Sequence, residues 1–338
     1  MTHPRSGVVL QGVDPPQAFG AMVEEIDRLG FDHLWLTDSS LHARNCYAYL
    51  TVAAARSSRL LLGTAVTNPA TRHPAITAAA AATVDEVSAG RLTLGIGAGD
   101  RPLLALGLRP SPLATLEAAV AGIRRLWRGE EVDLTAGGFT MNHAHLRFPA
   151  RADIPVYIAA SGPKTLELAG RIADGVILLV GLFPEALGWA IAHLAQASET
   201  AGRPRPDIAV FAYGAIDDDE QAAVEHARSI AAWFPQTAPH ICDLAGLPRH
   251  VVEHVKTAYL GGEFQEATAA ARALPDEFVR KVALAGNRQH AAERIRAAIG
   301  AGADSVHVFP LGPGRMNTVS DFALAWADAV GNSTTHEH

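Results

Sequence analysis

Short apolar runs and amphipathic stretches alternate along this chain, and their order predicts a parallel α/β architecture. Strand-like runs are expected over residues 8–12, 33–37, 60–66, Leu92–Ile96, Val156–Ala160, 176–180, 208–213 and 305–309. Helical periodicity follows each of them, over residues 16–29, Cys46–Arg56, 75–87, Leu113–Trp127, 164–172, 184–201, 219–233 and 321–329. Runs such as VYIAA and GVILLV are apolar throughout, as expected of strands covered on both faces. Eight strand–helix steps favour a closed (β/α)8 TIM barrel over an open doubly wound sheet.

Two segments break the rhythm. Residues 129–148 carry no helical period, and 139–148 reads as a surface hairpin arm. Residues 235–278 are mostly helical and precede a short extended segment at 282–285, a helix at 290–299 and the last strand. They are read as a helical insertion within a single barrel domain spanning 1–330, with 331–338 (GNSTTHEH) a loose polar tail.

Composition narrows the classes. With 338 residues and 49% hydrophobic positions, the chain can bury a large core. A net charge of −7 argues against a general nucleic-acid binder. The two cysteines, Cys46 and Cys242, stand far apart, which fits a reducing, cytoplasmic setting. Neither a signal peptide nor a membrane-spanning run is evident. His143/His145 and His336/His338 have no companion ligands at metal spacing, so no metal site is expected. No nucleophile elbow points to hydrolysis.

In a barrel the chemistry collects where strands end. Those positions hold Gln11, Asp38, Ser39, Thr67, Asn68, Arg72, Gly97, Ala98, Gly99, Asp100, Ala160, Ser161, Gly162 and Tyr213. Asp38 and Asp100 are the candidate acids, each with the alternative of a helix cap. Gly95-x-Gly97-x-Gly99 is no dinucleotide fingerprint, but its glycines would let backbone approach a planar ligand, or form a tight turn. Ala159-Ala160-Ser161-Gly162-Pro163-Lys164 runs from a strand into a helix start that suits a phosphate, or is an ordinary capped start. His33, His145 and His307 read as packed or surface residues.

The combination of GFDHLWLTD, Arg44-Asn45-Cys46-Tyr47, LLGTAVTNPATRHPAITA, GRLTLGIGAGD and IPVYIAASGPKTLELAGRIADGVIL resembles the bacterial-luciferase-like superfamily of flavin and deazaflavin barrels. Its order is most similar to the methylenetetrahydromethanopterin reductase group, which uses coenzyme F420. The resemblance implies a homodimeric F420-dependent oxidoreductase acting on a small-molecule substrate by hydride transfer at the deazaflavin. The alternative on the same barrel is an FMN-dependent monooxygenase. It also implies a non-prolyl cis peptide joining Ala65 to Val66. Ring contacts would come from Asp38, Ala65, Val66, Thr67, Gly97, Ala98, Gly99 and Asp100, and phosphate contacts from Ala159, Ala160, Ser161 and Gly162. Two positions depart from the reductases: Gln11 stands where they carry a proton-handling Glu, and Ser39 where they carry His. Gln11, Asp38 and Asp100 are therefore the candidate catalytic residues, and the methanopterin substrate is not implied as firmly as the cofactor.

Overall fold

Eight parallel strands close into a barrel in the computed structural model, which describes residues 3–39, 41–259 and 264–331. The first half of the chain supplies β1 (Arg5–Leu10), α1 (Pro16–Arg28), β2 (His33–Leu36), α2 (Cys46–Arg56), β3 (Leu61–Thr64), α3 (Pro74–Val87), β4 (Leu92–Ile96) and α4 (Leu113–Trp127). A hairpin of β5 (Val132–Ala136) and β6 (Phe139–Ala144) follows, then β7 (Val156–Ala160), α5 (Pro163–Ile172), β8 (Gly175–Leu178) and α6 (Pro184–Thr200). After β9 (Asp207–Ile216) and α7 (Glu220–Ala231) come α8 (Trp233–Thr237), α9 (Pro239–Leu244), α10 (Arg249–Ala258), α11 (Phe264–Ala271) and α12 (Asp276–Val282). The chain then forms β10 (Leu284–Gly286), α13 (Arg288–Gly300), β11 (Ser305–Pro310) and α14 (Arg315–Val330).

The ring runs β1–β2–β3–β4–β7–β8–β9–β11 and returns to β1. β10 pairs only with the far end of β9, outside that ring. Local chemistry sets the helix starts: Asn45 Oδ1 accepts the amides of Tyr47 and Ala48, Asp219 caps α7, and Pro16, Pro74 and Pro163 open their helices.

Boundaries differ from the sequence expectation at several elements, β1 and β9 by up to three residues, and four further differences bear on the barrel mouth or its surroundings. β3 ends at Thr64 rather than 66, because the chain leaves the ladder there, and the Ala65–Val66 peptide bond is cis. The hairpin spans 132–144, turning at Gly137-Gly138 with Gly138 at φ +99°, a two-glycine signal that was available in the sequence. α14 starts at Arg315 rather than 321, its first turns having too few apolar positions to show a period. The helical insertion starts at Trp233, two residues before 235, which matters for the site. The tail from residue 332 onward lies outside the described residues.

The barrel interior is plugged by Val9, Trp35, Tyr157, Ile177, Ala209 and Phe211. Beneath them lies a polar layer. Trp35 Nε1 donates to His307 Nδ1 at 3.2 Å, so His307 carries its proton on Nε2 and donates to Ser305 Oγ at 2.8 Å. Arg5 and Tyr157 both bond Asp207. Burial, and then the Arg5 charge, push His33 down to about 3. Burial likewise drives His307 well below its ordinary value, with His33 and Arg5 adding to it.

These two imidazoles make stability fall in acid. Once unfolded they take up protons below about pH 6.5, whereas folded His33 resists until about 3. The unfolded state therefore binds more protons in that window. The unfolding free energy falls on acidification, by up to about 1.4 kcal/mol per pH unit for each histidine. Urea melts between neutral pH and pH ~4.5 should show this slope, and it should shrink in His307→Gln; a flat profile contradicts the assignment.

Candidate active site

The strand C-termini open onto a cavity of about 650 Å³, within the range of small-molecule sites. One wall is built of small residues: Ala65, Val66, Gly97, Ala98, Gly99, Ala159 and Ala160. Phe211, Tyr213 and Phe309 form an aromatic side, and Trp233, Gln236 and Thr237 of α8 close over it from the insertion. Leu103 and Pro110, in the loop after β4, complete that rim. Thr37 lies in the wall with a buried hydroxyl that has no partner among the described residues.

Two carboxylates face the cavity, each held by a different element. Asp38 follows β2 and is buried; its Oδ2 accepts the Thr67 hydroxyl at 2.8 Å and the Arg72 guanidinium. Arg72 in turn sits 4.7 Å over the Tyr47 ring. Burial is the main force raising the Tyr47 phenol and the Cys46 thiol, and the Asp38 charge adds to it, so both stay protonated beside that carboxylate. Asp100 follows β4 and accepts the Trp233 indole N–H at 3.1 Å. It does not act as a side-chain cap of the 3-10 turn over Arg101–Leu106.

The β7–α5 turn forms the opposite end of the cavity. Gly162 is the N-cap of α5 and has no side chain to cover the amides of the first turn, while Pro163 at the next position has no N–H to offer. Thr165 Oγ1 accepts the Gly162 N–H at 3.2 Å and donates to the Gly162 carbonyl at 2.8 Å. The Ser161 carbonyl accepts from His240 Nε2 at 2.7 Å.

The structure thus brings Asp38, Ala65, Val66, Gly97, Ala98, Gly99, Asp100, Ala159, Ala160 and Ser161 to one cavity. Thr67 is fully buried behind Asp38, and Gly162 is one residue beyond the lining. Gln11 is half-buried after β1 and is not among the lining residues. Gly95 of β4 and Gly97 just beyond it have a role the sequence reading did not give them. A Cβ on Gly95 would lie 1.9 Å from the Thr64 carbonyl oxygen, and one on Gly97 2.9 Å from Val66 Cγ2. They make room for the 64–67 backbone and its side chains; Gly97 serves the ligand side as well.

Sequence reasoning missed Trp233, Gln236, Thr237 and His240. Their only signal was helical sequence placed before the last strand. It also separated His143 from any ligand set, yet the hairpin places Glu131, Asp133 and His143 within reach of one another. All three are exposed, and His143 is already bonded to the other two.

A sequence model of the luciferase-like monooxygenase family matches residues 1–305. The chain belongs to that family. The luciferase-like chain is 30% identical over 321 residues to a 5,10-methylenetetrahydromethanopterin reductase of Methanolobus tindarius, covering 93% of this chain and 96% of the relative. It is 30% identical over 285 residues to an F420-dependent glucose-6-phosphate dehydrogenase of Microbacterium testaceum, covering 78% and 82%. The coenzyme F420 dependent tetrahydromethanopterin reductase from Methanopyrus kandleri superposes on it with a TM-score of 0.84 at 25% identity, over 95% of this chain and 98% of that one. In this luciferase-like barrel the small-residue wall, the orphaned Thr37 hydroxyl and the uncapped α5 start fit a planar ring system carrying a phosphate.

Proposed function

We propose that the chain is a coenzyme F420-dependent oxidoreductase that moves a hydride between C5 of the deazaflavin and a small organic substrate. The observation that carries this reading is the meeting, in one cavity, of a side-chain-poor wall with a helix start left uncapped by Gly162. Relatives at 30% identity that bear F420 in their names support it.

When bound, the deazaflavin supplies the hydride chemistry. The protein supplies the rest. Ala65, Val66, Gly97, Ala98 and Gly99 would hold the ring, and Ala159, Ala160, Ser161 and Gly162 the phosphate end. Asp38 Oδ2 already accepts two hydrogen bonds, so Asp38 orients Arg72 and Thr67 and acts as a fixed acceptor. Asp100, oriented through its Oδ2 by Trp233, is the carboxylate placed to handle a substrate proton on the lid side. Gln11 cannot donate or take a proton at useful pH and would only hydrogen-bond. Trp233, Gln236 and Thr237 exclude water from above.

The working unit is one barrel domain over 1–330, whose helical insertion covers the site through α8, from Trp233 on. A homodimer is supported by Ile76 and Val87 of α3, apolar side chains that are themselves 60% and 50% exposed; light scattering should give twice the 35.6 kDa chain mass. Among the described residues no helix is long and apolar enough to cross a membrane. Both cysteines are free and buried, which supports a cytoplasmic setting.

Cofactor choice is tested by turnover. Reduced F420 should be oxidised without oxygen in the presence of a carbonyl or enone acceptor, and reduced FMN should drive no oxygen consumption above the protein-free rate. Oxygen uptake with FMN and none of the F420 reaction would replace this reading with the monooxygenase one.

A further inference from the structure

The insertion contributes a residue that holds the Ser161 end of the cavity. His240 lies at the start of α9, and its Nε2 is 2.7 Å from the Ser161 carbonyl oxygen. A carbonyl only accepts, so the proton of this imidazole is on Nε2. The ring is held in place by Trp189 of α6, 4.9 Å away, and Trp189 also packs on His193 at 4.5 Å. On the other side of the same peptide unit, the Gly162 N–H donates to Thr165 Oγ1 at 3.2 Å. The plane joining Ser161 to Gly162 is therefore clamped at both of its polar atoms, one by the insertion and one by the helix it precedes.

The one N–H of that plane, Gly162's, is taken by Thr165, so the clamp acts on how the chain enters α5 and, through that, on where the Lys164 and Thr165 amides of the first turn point. An anion at a helix start is recognised by the direction of these N–H groups, so a rotated plane weakens anion binding while sparing contacts elsewhere. We propose that His240 is a positioning residue for the cofactor's phosphate, selecting deazaflavins that carry the phosphate-linked tail over those that lack it. The inference rests on the F420 reading above and adds to it a role for the insertion.

The test compares dissociation constants of two probes, F420 and the deazaflavin riboside without its phosphate and tail, by ring fluorescence. In His240→Ala, F420 should bind about 3- to 10-fold more weakly, the worth of one hydrogen bond, while the riboside stays within about twofold of wild type. His240→Gln, which keeps an N–H donor, should recover most of the loss. Should His240→Ala melt far below wild type, Thr165→Val removes the other end of the clamp and should show the same selective loss. Equal weakening of both probes, or no weakening of F420, overturns the proposal while the F420 reading stands. Wild-type protein that binds neither probe overturns both.

Discussion

Gly162→Asp is expected to fold as well as the parent chain and to bind F420 about 100-fold more weakly. The backbone at Gly162 has φ −109° and ψ 161°, which any residue adopts. An added Cβ meets only Thr165 Oγ1, at 3.9 Å. Aspartate is a better N-cap than glycine by a few tenths of a kcal/mol, so melting should not suffer. Its carboxylate, however, would occupy the amides of the first turn and stand beside the phosphate. Two unit charges ~5 Å apart repel by about 3 kcal/mol at an effective dielectric near 20, which is roughly a factor of 100 in affinity. Melting and F420 titration on the same preparation check both halves. Unchanged affinity would place the phosphate elsewhere.

Gly95→Ala is expected to do the reverse, damaging the fold first. Its methyl would sit 1.9 Å from the Thr64 carbonyl oxygen and 3.1 Å from Ile177 Cδ1. The Thr64 carbonyl is backbone and can yield only if β3 moves. The Gly95 carbonyl accepts both the Thr64 hydroxyl, at 2.7 Å, and the Thr67 amide, at 3.0 Å, and so fixes β3 against β4. Overpacking of this kind costs roughly 3 kcal/mol or more. A urea midpoint well below wild type, or loss of soluble protein, is the expected outcome; a melt superimposable on wild type contradicts it. The two glycines thus divide the work: Gly95 within β4 admits backbone, and Gly162 after the neighbouring β7 leaves a helix start bare.

The barrel was readable because its signals are local. α2, β4, α4 and β7 end where periodicity and capping place them, with Asn45 at the head of α2 as the clearest case. The small-residue wall was readable too, since Gly97, Ala98, Gly99, Ala159 and Ala160 stand at strand ends. Partnership was not. Asp38 and Asp100 looked alike in sequence, yet one is bonded by Arg72, 34 residues on, and the other by Trp233, 133 residues on. No period or motif couples positions that far apart. The role of Gly95 was hidden for the same reason, because the Thr64 carbonyl it accommodates belongs to another strand. Insertions are the least predictable part, and the lid residues Trp233, Gln236 and Thr237 all come from one.

On this reading the cavity holds a deazaflavin. The most direct measurement is a fluorescence titration of the purified wild-type chain with oxidised F420, run beside FMN at the same concentrations. F420 should bind saturably at micromolar or lower dissociation constant, with FMN weaker. No change in F420 fluorescence up to high micromolar concentration, or tighter binding of FMN, would contradict it.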